Sequence, residues 1–234
     1  MIVMVSGMRD ARNIREVSAL DVDMMGFDFY PASKRFVQMI SSQAGIIPDF
    51  SPERLKKAAK PNSTGNAMVP KRISRVGVFV DDMPQSIISR VYNYSLEYVQ
   101  LNGDENEVMI DNLKRSLVPD LVPEIKVIKT LNINTPDDFV RCDVFEGCVD
   151  LFLFNIIGDK KTGAGFAESV KMLESYKGKT PFLLGGNIGV NDVKAIQALR
   201  HSKFVGVDLN EQFELSEGVK DVERLQKFIV DVKG

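Results

Sequence analysis

A single closed (β/α)8 barrel is the fold the sequence predicts, and three observations carry the prediction. Short apolar, β-rich runs recur eight times along 234 residues, segments with helical spacing of apolar residues separate them, and no GxGxxG follows the first run. Repeated alternation of buried strands with helices implies parallel strands, because a parallel connection needs a crossover, and crossovers cover both faces of the sheet. Eight such units in a chain of this length match a closed α/β barrel. The missing glycine fingerprint argues against an open dinucleotide-binding sheet.

The elements follow in order. IVMV at residues 2–5 is the first strand, ending at Ser6 and Gly7 and handing over to an amphipathic stretch from Ala11 to Leu20. DMMGFDF at 23–29 is the second. Residues 41–74 are rich in proline, glycine, serine and asparagine around one lysine-rich helical piece, with a loop tip at PNSTGN. They read as an elongated connection after strand two, inside one domain spanning 1–234. RVGVFV at 75–80 precedes helical spacing from Pro84 to Tyr94, and YVQL at 98–101 precedes Val108 to Leu117. IKVI at 125–128 is the fifth strand. VDLFLF at 149–154, PFLL at 181–184 and KFVGVDL at 203–209 complete the set, each followed by helical spacing at 167–176, 192–199 and 222–232.

Composition limits the function. Hydrophobic residues make up 44% and charged residues 26%, which suffices for a substantial core. A formal charge of -2 provides no general attraction for nucleic acid or an anionic membrane, so any anion must be held locally. Cys142 and Cys148, in CDVFEGC, have neither the spacing nor the companion ligands of a metal or redox motif, and read as incidental thiols of a reducing compartment. No apolar run reaches the roughly 18 residues of a membrane span, and no leader pattern opens the chain, so a cytoplasmic protein is expected.

In such a barrel the working groups lie at the C-terminal ends of the strands and on the loops that follow. Ser6, Asp28, Asp81, Asn102, Asn155, residues 185–189 and Asn210 all fall there. The glycines after the later strands matter because backbone N–H groups approach a phosphate closely only where no Cβ intervenes. LLGGNIG and VDLNEQFE stand after the seventh and eighth strands, where barrels often hold phosphate.

These residues carry a family resemblance. VSGMRDARNI resembles the first βα turn of phosphoribosylanthranilate isomerases, MGFDFYPASKRFV their second unit, and VGVFVDD and YVQLNGDE their third and fourth. The likeness continues through LFLFN, TGAG, PFLLGGNIG and GVDLNEQFELSEGVKDVERLQKFI. The resemblance implies an Amadori rearrangement in tryptophan biosynthesis: N-(5-phospho-β-D-ribosyl)anthranilate becomes 1-(2-carboxyphenylamino)-1-deoxyribulose 5-phosphate, without cofactor or metal. The implied partner is a small phosphorylated anthranilate-type ligand, with no nucleic acid or membrane, and family members occur as monomers and homodimers.

The resemblance also assigns positions. Ser6 stands where the family has the cysteine that removes the C2′ proton, and Asn155 where it has the aspartate that helps open the ribose ring. Arg35 matches the arginine around the anthranilate carboxylate. Asn102 replaces the histidine of QLHG, and Asp28 places a charge where the family is mostly apolar. Gly163, Gly165, Gly185, Gly186, Asn187, Asn210 and Glu211 fall on the implied phosphate loops, with Asn187 and Glu211 departing from smaller residues.

The chemical consequence follows from the side chains. A cysteine of pKa near 8.5 ionises partly at neutral pH, whereas a lone serine hydroxyl needs a helper. The sole histidine, His201, precedes strand eight at the far end of the barrel and reads as a surface or loop residue. Asparagine has the shape of aspartate but no titratable proton. Each proton-transfer role contributes about 10²- to 10⁴-fold, so the expectation is an isomerase-like barrel with severely impaired or absent turnover. Two other readings compete: a non-catalytic ligand-binding or scaffold barrel, and changed chemistry on another sugar phosphate with Asp28, Asp81 or Asp82 as acid or base. For Asp28 a structural pair with Arg35 or a nearby lysine is the favoured role.

Overall fold

Alternation of side chains along the strands builds two separate cores. A computed structural model describes residues 1–37, 72–117, 122–156 and 166–234. In β1 (Ile2–Val5), Val3 and Val5 face the outer layer, while Met4 belongs to a second cluster inside the barrel. That inner plug also contains Met24, Val76, Ile128, Leu151, Leu153 and Leu183. Both faces of every strand are thus covered, which is why the runs read as nearly continuous apolar sequence.

The remaining strands are β2 (Met24–Asp28), β3 (Ser74–Phe79), β4 (Tyr98–Leu101), β5 (Lys126–Asn132), β6 (Leu151–Ile156), β7 (Phe182–Gly186) and β8 (Phe204–Leu209). All eight pair in parallel in chain order, and β8 closes on β1 with Met4 opposite Asp208. The expected α/β barrel is therefore the observed one.

Helices α1 (Ala11–Ser18), α2 (Pro84–Tyr94), α3 (Glu107–Leu117), α4 (Phe166–Val170), α5 (Val193–Ala198) and α6 (Val222–Lys233) lie between and after the strands. Asp10 caps α1 by accepting from the Asn13 backbone N–H at 2.8 Å, and Asp221 caps α6 by accepting from Arg224 N–H at 3.0 Å. Such caps contribute about 1 kcal/mol each. Ile14 and Val17 on α1, and Leu225, Phe228, Ile229 and Val232 on α6, bury the apolar stripe against the sheet.

Three features depart from the sequence reading. β5 runs on to Asn132, beyond the expected 125–128, because Lys129 is accommodated in the outer layer. Its Nζ donates to Gly103 O at 2.6 Å and pairs with Glu105 at 2.9 Å, so a polar residue interrupts the apolar run without ending the strand. The expected helices at 167–176 and 192–199 are split: α4 continues as a 3-10 helix over Lys171–Ser175, and a 3-10 turn over Val190–Asp192 precedes α5. Unforeseen were a 3-10 helix over Pro136–Phe145 and a hairpin of β9 (Glu214–Ser216) and β10 (Val219–Lys220) after β8. The elongated connection expected at 41–74 lies outside the described residues up to position 71.

Candidate active site

The same alternation that fills the barrel also floors its mouth. Two residues beyond Met4, Val76, Ile128 and Leu153 come Ser6, Val78, Thr130 and Asn155, and all four line a cavity of about 360 Å³. Leu153 itself and Asp28, Gln100, Asn102, Asp208, Gly186, Asn187, Asn210 and Glu211 complete its wall. Among the expected site residues, Ser6, Asp28, Asn102, Asn155, Gly186, Asn187, Asn210 and Glu211 are therefore brought together.

The ends of β8, β1 and β2 form an acidic side. Ser6 is 4% exposed, its backbone N–H donates to Leu209 O at 3.0 Å, and its hydroxyl donates to Asp208 Oδ1 at 2.6 Å. Burial, with a smaller contribution from the charge of Asp28, pushes the Asp208 carboxyl up to about 6 against the Ser6 hydrogen bond and the charge of Lys220. Burial likewise raises the Asp28 carboxyl, opposed by a Ser33 hydroxyl donating at 2.6 Å and by the charge of Arg35. Gly7, at φ +70°, turns the chain here; a Cβ would stand 2.4 Å from Arg35 Cδ and 2.8 Å from Asn210 Oδ1.

Arg35 makes its ion pairs with other carboxylates than Asp28, so of the expected pair with Arg35 or a nearby lysine only the longer-range charges of Arg35 and Lys220 act on Asp28. Arg35 Nε and Nη2 donate to the two oxygens of Glu214 at 2.9 and 2.7 Å, and Nη1 lies 3.5 Å from Glu211. The hairpin explains the outcome, because β9 delivers Glu214 beside Arg35 while β10 delivers Lys220 to the same carboxylate at 2.7 Å. Lys220 also donates to Asn210 Oδ1 at 2.7 Å. Burial alone would raise the Glu214 carboxyl; hydrogen bonds and charges from Arg35 and Lys220 outweigh it and hold Glu214 below the ordinary range. Burial pulls the Lys220 ammonium down, and Glu214 opposes it.

The ends of β4, β5 and β6 form a neutral side. Gln100 Nε2 donates to Asn102 Oδ1 at 2.9 Å and to Thr130 Oγ1 at 3.2 Å, and the Thr130 hydroxyl donates to Asn102 Oδ1 at 2.5 Å. Gln100 Oε1 is buried without a partner among the described residues. Asn155 sits opposite Asn132 in the β5–β6 register and donates its amide to Asn132 Oδ1 at 2.8 Å. After β7, Gly186 has φ +106°, and a Cβ would meet Ile156 O at 2.1 Å, so this glycine is required by the backbone itself.

Other expected residues lie elsewhere. Gly185 is buried within β7 and does not line the cavity, and Gly163 and Gly165 lie outside the described residues. Asp81 Oδ1 accepts from Asp104 N–H and Asp82 from Met83 N–H; neither lines the cavity, which removes both from the changed-chemistry reading. His201 is half-buried in a loop, accepting at Nδ1 from Lys203 N–H at 3.1 Å and so donating from Nε2 to Tyr176 O at 3.1 Å. Burial pushes the Cys142 thiol up to about 12, so it stays protonated. No cluster of three metal-binding side chains occurs among the described residues, and none of their helices is long and apolar enough to cross a membrane.

Sequence reasoning missed Asp208, Gln100, Thr130, Asn132 and the Glu214–Lys220 pair. A signal existed for four of them: counting in twos from an interior residue reaches Gln100 from Tyr98, Thr130 and Asn132 from Ile128, and Asp208 from Gly206. No local pattern pointed to Glu214 and Lys220.

Similarity to known proteins decides the family. The family model of N-(5'phosphoribosyl)anthranilate (PRA) isomerase matches residues 31–231. The chain is 36% identical to the N-(5'-phosphoribosyl)anthranilate isomerase of Parabacteroides distasonis, over 99% of this chain and 93% of that one. This chain belongs to the phosphoribosylanthranilate isomerase family. Solved structures agree in fold. The Thermus thermophilus phosphoribosyl anthranilate isomerase superposes with a TM-score of 0.71 at 21% identity, covering 100% of this chain and 98% of that one. A second isomerase, in complex with reduced 1-(o-carboxyphenylamino)-1-deoxyribulose 5-phosphate, gives 0.68 at 24% identity with complete coverage of both chains. Within the family, the mouth described above is the candidate active site.

Proposed function

We propose that this barrel takes the family's phosphorylated anthranilate ligand at its mouth and performs the Amadori isomerisation of tryptophan biosynthesis at a severely reduced rate. One observation carries the reading. At the two positions the family resemblance assigns to proton transfer, Ser6 and Asn155 are tied as neutral donors to Asp208 and Asn132, at 2.6 and 2.8 Å. A hydroxyl and an amide keep the shape of the site without supplying a thiolate or a carboxylic acid.

The cavity volume of about 360 Å³ suits a small ligand. On this reading Arg35 exchanges part of its Glu214 and Glu211 pairing for the ligand carboxylate, and the backbone around Gly186 and Asn187 faces the phosphate. Glu211, standing in the cavity wall 3.5 Å from Arg35, weakens phosphate binding by like-charge repulsion.

Two measurements test the reading. Isothermal titration with the reduced deoxyribulose 5-phosphate compound tests the pocket: a heat of binding is expected, and its absence at millimolar ligand removes the inherited substrate class. Loss of fluorescence from freshly generated phosphoribosylanthranilate tests the rate, with turnover expected at least 100-fold below that of the Parabacteroides distasonis relative. Equal turnover in the two proteins overturns the proposed impairment.

A further inference from the structure

We propose that Asp208, held by the Ser6 hydroxyl, is the group that accepts the C2′ proton in this chain. The inference rests on the family reaction proposed above and names the residue through which its remaining turnover passes. Three structural facts support it. Asp208 lines the cavity from β8, the strand next to β1, so its carboxylate stands beside the side chain at the position the family resemblance assigns to the base. Its Oδ1 accepts from Ser6 Oγ at 2.6 Å, which fixes the carboxylate and leaves Oδ2 with no hydrogen-bond partner given by a described residue. Among the described residues, the one cation that acts on it is Lys220, whose ammonium is already shared by Glu214 and Asn210.

The surroundings set the basicity. Ser6 on β1 donates to Asp208, Lys220 on β10 attracts its charge, Asp28 on β2 repels it, and β7 presents only Gly185. Burial dominates and raises the carboxyl to about 6, so it is ionised at neutral pH yet basic enough to take a proton. In the step itself, ring opening draws a proton from water onto O4′, and the resulting iminium loses its C2′ proton to Asp208. The C2′–H bonding pair becomes the C1′=C2′ bond of the enolamine, and the former C=N pair returns to nitrogen. Ketonisation then delivers a proton from Asp208 to C1′ while the O2′ hydroxyl releases its own to water, restoring the carboxylate.

Ser6 is a positioning residue in this scheme: it orients Asp208 and holds its pKa down by hydrogen bonding to the charged form. A cysteine at the same position would compete for the role as thiolate, which yields a rescue experiment.

The test follows kcat/KM by fluorescence loss between pH 5 and 8 for the unmodified protein, Asp208→Asn, Ser6→Ala and the Ser6→Cys, Asp208→Asn double variant, with the reduced analogue titrated calorimetrically into each. Turnover of the unmodified protein is expected to rise with pH through about 6 and level off. Asp208→Asn should lose about 100-fold or more while its analogue affinity changes less than about threefold. Ser6→Ala should lose part of the turnover, because Asp208 is no longer oriented, and should move the pH midpoint upward, a shift a merely structural role would not produce. The double variant should recover turnover, with a midpoint moved towards that of a thiol. Analogue binding combined with full activity in Asp208→Asn, or with no turnover in the unmodified protein, overturns the role of Asp208 alone. Failure of the unmodified protein to bind the analogue overturns the proposed function, and this inference with it.

Discussion

The two sides of the barrel mouth are built on different principles. Across β8, β1 and β2, four carboxylates, one guanidinium and one ammonium are packed into a connected cluster: Asp208, Asp28, Glu214, Glu211, Arg35 and Lys220. Across β4, β5 and β6, the groups are neutral, with Gln100, Asn102 and Thr130 bonded to one another and Asn155 bonded to Asn132. The difference teaches where proton chemistry can reside. Among the described residues, every titratable group in the cavity wall stands on the first side or on the loop that follows β8, and the described groups of the second side can orient a ligand but cannot exchange a proton with it near neutral pH.

The comparison can be broken most decisively by restoring titratable groups at both assigned positions. A Ser6→Cys, Asn155→Asp double variant puts a thiol on the acidic side and a carboxyl on the neutral one. Its kcat/KM for phosphoribosylanthranilate should rise about 10²- to 10⁴-fold, which amounts to roughly 3–6 kcal/mol of barrier. No gain in the fluorescence assay, with analogue binding intact, would mean that the two sides are not aligned on one substrate.

Next in size is the ion cluster itself. Glu214→Ala leaves the fully buried Lys220 ammonium and the 14% exposed Arg35 side chain without their shared carboxylate. Breaking such a pair from one side costs about 3–5 kcal/mol, which urea unfolding would read as a lower midpoint at unchanged slope. A loss under about 1 kcal/mol would indicate that the cluster opens in solution.

Asp208 should work in the opposite direction. Its carboxyl is raised from 3.8 to about 6 in the folded protein, so between those values the native state binds more protons than the unfolded chain. Stability from this group therefore falls as pH rises through that window, and the penalty, about 3 kcal/mol at most, is complete above the folded pKa. Asp208→Asn should stabilise the protein by about 1–3 kcal/mol at pH 8, with the gain shrinking towards pH 4. A variant equally destabilised at both pH values would show that the carboxylate is held by partners rather than penalised by burial.

The neutral side should respond least. Thr130→Val removes a hydroxyl that donates to Asn102 at 2.5 Å and accepts from Gln100 at 3.2 Å, and should cost about 1 kcal/mol, the net worth of a neutral hydrogen bond. A loss as large as that of Glu214→Ala would erase the proposed distinction between the two sides.

The sequence by itself determined the architecture and the family. Eight apolar runs with helical spacing between them can bury both strand faces in only a few ways, and those runs fall on the eight observed strands. It also placed Ser6 and Asn155 at the mouth, because each stands directly after an apolar run, at the C-terminal end of its strand. Tertiary structure alone decided the partners. Ser6 meets Asp208 across 202 residues, and Arg35 meets Glu214 across 179, through closure of β8 on β1 and the hairpin that follows. Local periodicity records which face a residue presents; which charge waits opposite is set by barrel closure. For that reason local sequence offers Asp28 either Arg35 or a nearby lysine as a partner, whereas the fold gives Arg35 a bidentate carboxylate from the far end of the chain.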